Sequence, residues 1–271
     1  EYTALSANAE QIISSFDISR LFDPEAQLFH RSLNPDGQAD GYIDCFPDEA
    51  LLLSMAACAR QQIPASHFSA LMHPVSYVQG MQLPLSVHGN ASAHLLPGLF
   101  LPMDEPAAQA YIQAMRRHRH EGLFGQDECG CYRFDPALRY QQIHSGIPAA
   151  ALSHIHAAPV YTPYAAALCL PFAPRAAADC LHQFKLHGAL TPLGMCDAID
   201  FTNGAVLVGM HDAYHQALLL IAAAHILADA PIRRYFCEQP DMEACLPLLV
   251  KQAAPILPSM QGRRNQSHPS R

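Results

Sequence analysis

The 271-residue chain reads as an all-α fold whose helices are joined by connections carrying short β-hairpins. Three observations point that way. Residues 47–62, 90–101, 105–118, 163–170, 175–187, 212–228 and 232–253 have the composition of helices, and most are bounded by Pro, Gly or Asp. The stretches between them, 34–44, 73–89, 121–134 and 189–209, are rich in Gly, Pro and polar residues and hold short alternating runs suited to hairpins. Half of the residues are hydrophobic and only 15% are charged, which fits one large buried core.

Each helix has its own local cause. After Pro47 come Asp48 and Glu49, acids that favour the positive mouth of a helix, and then strong helix formers from Leu51 to Gln62. The segment 105–118 runs into Arg116, Arg117, His118, Arg119 and His120, cations that meet the carbonyl end of a helix. Pro163 opens the next helix, and 175–187 follows Pro174. Asp212 starts a helix containing the longest apolar run, residues 217–228. That run is interrupted by His225 and is shorter than the roughly 20 residues that span a bilayer, so it reads as a core helix and no membrane span is expected. The tail, 261–271, has a linker-like composition, leaving 1–260 as one domain.

Composition also excludes functions. The formal charge is −8 with acids and bases interspersed, so no cationic surface is available to neutralise a phosphate backbone, and nucleic acid is not a partner. Glycine-rich phosphate loops and the GxSxG nucleophile elbow are missing, which removes nucleotide-dependent and serine-hydrolase chemistry; no cofactor is implied. The nine cysteines follow no framework spacing and read as buried free thiols in a reducing compartment. With no Trp in the chain, stacking against a ligand falls to Tyr and Phe. His211 and His215, four apart, would share a helix face able to hold zinc, but the HExxH pattern is absent because Asp212 and Ala213 follow His211. Cys129 and Cys131 with His118 and His120 match zinc spacings poorly, and no metal is expected.

Three stretches resemble one family. Residues 196–236, CDAIDFTNGAVLVGMHDAYHQALLLIAAAHILADAPIRRYF, follow its order of features: an acid, Ala-Ile-Asp, an aromatic and Thr, an apolar run, a His-Gln pair and an Arg-Arg-aromatic ending. Residues 22–68 carry Asp44 and Glu49 at its acidic positions, and FGQDECGCY with YTPYAAALCLP matches its Glu-bearing loop and the proline-led helix beyond. The chain thus resembles, over about residues 16–255, the glucoamylase-like domain of cyclic β-1,2-glucan synthases and related endo-β-1,2-glucanases. The resemblance implies a bacterial (α/α)6 toroid-like barrel whose central cleft holds a β-glucan chain. Fewer helices are visible than a closed ring needs, so the ring is incomplete or is completed by neighbouring domains of a larger synthase. It also implies a cytoplasmic setting, free or within an inner-membrane protein, with the periplasm left open; the segment from Glu1 has neither a cationic start nor an apolar signal core, and a preceding signal or domain stays open. Departures stand out as well: SAHLLP has Ala93 where the family has an acid, Asp197 replaces a Glu, and an Arg is missing near Gly209.

Glycosidic chemistry needs one carboxyl to protonate the leaving oxygen and a second to attack or to activate water, about 5–5.5 Å apart in a retaining enzyme and about 6.5–9.5 Å in an inverting one. On the resemblance, Glu128 is the general acid and Asp197 its partner. Asp44, Glu49, Asp200, His215, Gln216 and Tyr132 are the candidate sugar-binding residues. Alone, Asp197 and Asp200 read equally well as braces of a turn, and His215 as a hydrogen-bonded core histidine. The reading is therefore a glycoside hydrolase or transglycosylase, with a non-catalytic glucan-binding or assembly domain of the same ancestry as the alternative.

Overall fold

The computed structural model describes residues 2–48, 50–127, 131–135, 139–143, 146–155 and 158–252. It begins with α1 (Tyr2–Ser15), an exposed helix outside the predicted set, and a small antiparallel sheet of β1 (Phe22–Asp23), β2 (Leu28–Leu33) and β3 (Ala39–Ile43). Then come α2 (Leu51–Ala59), α3 (His67–Ala70), the hairpin β4 (Val75–Val78) and β5 (Met81–Pro84), α4 (Ala91–Leu95) with a 3-10 turn after it, and α5 (Glu105–Arg116). A second hairpin, β6 (Cys131–Asp135) and β7 (Arg139–Ile143), precedes β8 (Val160–Tyr161), α6 (Pro163–Ala167) and α7 (Pro174–Leu186). The chain continues through β9 (Leu190–Thr191), β10 (Gly194–Met195), β11 (Ala198–Asp200) and β12 (Val206–Val208) into α8 (Ala213–Leu227), α9 (Pro231–Cys237), α10 (Pro240–Cys245) and α11 (Pro247–Gln252).

Helices and hairpins alternate as predicted, with two corrections. The helix expected over 232–253 is three short ones, because Pro240 and Pro247 lack an amide N–H and each opens a new helix. Asp200, expected in a loop, ends β11, the central strand of an antiparallel sheet in which Ile199 faces Tyr161 on one side and Leu207 on the other. Ile199, Val206, Leu207 and Val208 give these strands their apolar and β-branched side chains.

Two cores form. The larger gathers Leu95, Leu99, Tyr111, Met115, Tyr164, Leu168, Phe184 and Leu218 from α4 to α8. In α5 the spacing of Ala108, Tyr111, Ile112 and Met115 puts all four on one buried stripe. The smaller joins Phe29, Leu51, Met55, Phe68, Leu71 and Met242, drawn from β2, α2, α3 and α10. Leu52 and Phe100 pack against both. Helix α8 is apolar on most of its surface; His215, Leu218, Ala222 and His225 form its buried side, while Leu220 and Leu227 are exposed. Among the described residues no single helix is long and apolar enough to cross a membrane; α8 and α9 meet that criterion only together, across a 90° bend. Cys45, Cys58, Cys169, Cys180, Cys196, Cys237 and Cys245 are free, and burial raises their thiol pKa values, that of Cys45 to about 12.

Candidate functional site

A cavity of about 750 Å³ opens where the two cores meet, and Leu52 and Phe100, which belong to both, stand in its wall. One side is the start of α2, another the stretch around α4, and a third the turns of α8 bearing Tyr214, Leu218 and Ile221. Its polar groups are Arg31 on β2, Asp48 before α2, Ser86, His88 and Asn90. Asp48 is partly buried, and its Oδ1 accepts the Ala50 amide at 2.7 Å. Burial raises its pKa above the usual aspartate value; the Ala50 amide, then Arg31, act against that, nearby Asp44 adds to it, and His88 opposes it.

Ala93 lies on the cavity wall at the position where the resemblance calls for an acid. Its neighbour His94 is buried, stacked 4.1 Å from Tyr111 and bonded to Ser86 Oγ at 3.1 Å. Burial lowers its pKa to about 3, so it is neutral. Ser92, on the other side of Ala93, donates both its amide and its hydroxyl to Asp127 Oδ2, each at 2.8 Å. Asp127 is fully buried, so the residue before Glu128 is tied to the helix that carries Ala93.

A second polar group lies under α8. The Asp212 side chain caps this helix by accepting the amides of Tyr214 and His215. His215 Nδ1 donates to Asp197 at 2.5 Å, and the imidazole stacks on Tyr164 with ring centroids 4.0 Å apart and planes 3° from parallel. Asp197 is 1% exposed and is not among the residues lining the cavity. Gln216 donates to the Met195 carbonyl at 2.7 Å, and Asp200, also buried, accepts the Thr202 amide at 2.8 Å. The bonds of His215 to Asp197 and of Gln216 to Met195 bind the strand region to α8.

The structure therefore brings together Asp197, His215 and Gln216, with Asp200 two strand positions beyond Ala198. Asp44 is partly buried at the start of the α2 approach, where its carbonyl accepts the Met72 amide. Glu128 and Glu49 lie outside the described residues, as does the side chain of Tyr132. His211 does not share a helix face with His215: α8 starts after the Asp212 cap, and His211 Nε2 meets Thr191 Oγ1 at 2.8 Å. Arg31, Asp48, His88 and Tyr214 are cavity residues that the sequence did not single out. Asp48 carried a signal, an acid beside Pro47, but that signal equally marks a helix start.

Helices joined by hairpin-bearing connections pack about this cavity, and the same fold is found in solved glucoamylase-like proteins. Two solved structures share it. An endo-β-1,2-glucanase from Chitinophaga pinensis, solved with sophorotriose and glucose, superposes with a TM-score of 0.69 at 15% identity, covering 91% of this chain and 64% of that one. A glucoamylase-like protein from Bacteroides fragilis superposes equally well, at 14% identity with the same coverage. In sequence, the chain is homologous to the cyclic β-(1,2)-glucan synthase NdvB of Rhizobium meliloti (strain 1021), 27% identical over 277 residues. That match takes in 96% of this chain and 10% of the synthase, so the chain spans a tenth of that relative and less than two thirds of the solved ones. No family model matches it.

Proposed function

We propose that this chain is a β-glucan-processing domain, a glycoside hydrolase or transglycosylase for β-1,2-glucan, with Glu128 as general acid and Asp197 as nucleophile or base. Homology to a cyclic β-(1,2)-glucan synthase along 96% of the chain is the observation that carries this reading. In it the glucan occupies the cavity between the two cores. The tie from Asp127 to Ser92 supports a role for Glu128 there, since it holds the preceding residue beside Ala93 of the cavity wall. Asp44, Glu49, Asp200, His215, Gln216 and Tyr132 complete the proposed sugar-binding set, and residues 1–260 form one domain of an (α/α)6 ring. Because the synthase is about ten times longer, neighbouring domains would be its partners in a cytoplasmic or inner-membrane assembly.

One observation favours a second reading, a non-catalytic glucan-binding module. Asp197 is committed to His215 and is absent from the cavity lining, while the wall offers Ala93 where a carboxyl would serve catalysis. Product analysis separates the two. Purified protein is incubated with linear β-1,2-glucan, alongside Glu128→Gln and Asp197→Asn. Shorter, longer or cyclised products, falling at least about 100-fold in both variants, are expected if the two carboxyls do acid–base or nucleophilic work. Intact glucan together with measurable binding would assign the chain to the binding module instead.

A further inference from the structure

None of the polar set on the cavity wall is among the candidate catalytic or sugar-binding residues that the sequence points to. Arg31, Asp48 and His88 come from three separate segments, β2, the approach to α2 and the connection after β5, and they converge on one space that Ser86, Asn90 and apolar side chains such as Leu52, Leu96, Phe100 and Ile221 also line. Charges of opposite sign in one cavity select against ions. An anion would meet Asp48 and a cation would meet Arg31, whereas a neutral polyol can use both, since its hydroxyls donate to the carboxyl and accept from the guanidinium. The apolar wall suits the C–H faces of a sugar ring, with Phe100 and Tyr214 as its aromatic members. A volume of about 750 Å³ falls within the span of roughly 300–1,000 Å³ typical of small-ligand sites.

We propose that Asp48 is a substrate-contacting residue whose carboxyl group receives hydrogen bonds from adjacent hydroxyls of a neutral saccharide in this cavity, with Arg31 as the matching donor. The inference rests on the glucan reading above and adds to it a recognition residue. The raised pKa of Asp48 accords with a carboxyl turned toward a low-dielectric space. Its bond to the Ala50 amide uses Oδ1, and an asparagine at the same position keeps an oxygen acceptor for that bond.

The test is calorimetric titration of the full chain with linear β-1,2-linked gluco-oligosaccharides, then with β-1,3-, β-1,4- and α-1,4-linked ones. Wild type, Asp48→Asn, Arg31→Gln and a surface control, Asp36→Asn in the β2–β3 turn, are compared, and melting curves verify folding. Asp48→Asn is expected to weaken binding about 10-fold or more, the effect of losing a charged hydrogen-bond partner, with Arg31→Gln weakening it too and the control unchanged. Wild-type affinity in a folded Asp48→Asn protein overturns the inference and leaves the glucan reading standing. Binding confined to another neutral linkage, and still lost in Asp48→Asn, keeps Asp48 as the contact and removes the β-1,2 assignment. If no neutral oligosaccharide binds wild type, both fall.

Discussion

A carboxylate without exposed surface needs a donor, and Asp197 has His215. Replacing His215 by Ala leaves that carboxylate buried and takes away the ring stacked on Tyr164, so a loss of about 3–5 kcal/mol is expected. Asp197→Asn keeps an oxygen that can accept from Nδ1 and is expected to cost about 1 kcal/mol. Urea unfolding of both variants checks the order; equal losses would mean that charge, not the hydrogen bond, dominates. This pair was only half legible in the sequence. His215 and Asp197 were each singled out, but 18 positions separate them and no local pattern reports that they touch. Asp48 shows the opposite difficulty. Its local pattern was clear, yet whether an acid before a helix faces solvent or a cavity depends on Phe100, Tyr214 and Ile221, which only the tertiary fold brings near.

The connections place these residues, and their backbone geometry is tightly set at Gly125. It has φ +110°, and a Cβ there would lie 2.7 Å from the Ala166 amide nitrogen and 2.9 Å from the Thr162 carbonyl. The close approach is needed because the Gly125 carbonyl accepts the Thr162 amide, which pins the segment leading to Asp127 against the start of α6. Gly204, at φ +98°, has open space around its missing Cβ. Gly125→Ala should therefore cost clearly more than Gly204→Ala, which bears only the conformational term of about 1–2 kcal/mol. Thermal unfolding of the two variants measures the difference, and comparable midpoints would show that the Gly125 contact relaxes freely. Helix and hairpin positions were readable because capping residues and periodicity act locally. The three-way split of 232–253 has a local cause as well, since Pro240 and Pro247 each break the helix that the residues around them favour. Close approach at Gly125 was not, since its cause lies 37 and 41 residues away in Thr162 and Ala166.

At the scale of the molecule, two cores meet at Leu52 and Phe100, and histidines buried as neutral groups are spread through both. His67 packs on Phe29 and Phe68 in the smaller core, His94 on Tyr111 in the larger, and His73, His118 and His225 are also held below their ordinary pKa, chiefly by burial. The unfolded chain takes up protons at these positions as pH falls through about 6.5, whereas the folded chain does so only at lower pH, near 3 for His94. Below about 6.5 the unfolded state binds more protons, so stability falls with pH, by up to about 1.4 kcal/mol per pH unit for each histidine still neutral in the fold. Asp48 works in the other direction: with its folded pKa raised, protonation favours the folded state, but only in the acidic range where aspartates titrate. The net expectation is a urea midpoint that drops between pH 7 and pH 5, and that drops less in His94→Gln, which has no proton to gain. A midpoint flat across that interval, or unchanged in slope by His94→Gln, would show that these imidazoles become protonated inside the fold, and the packing around His94 and Tyr111 would then have to open to water well before global unfolding.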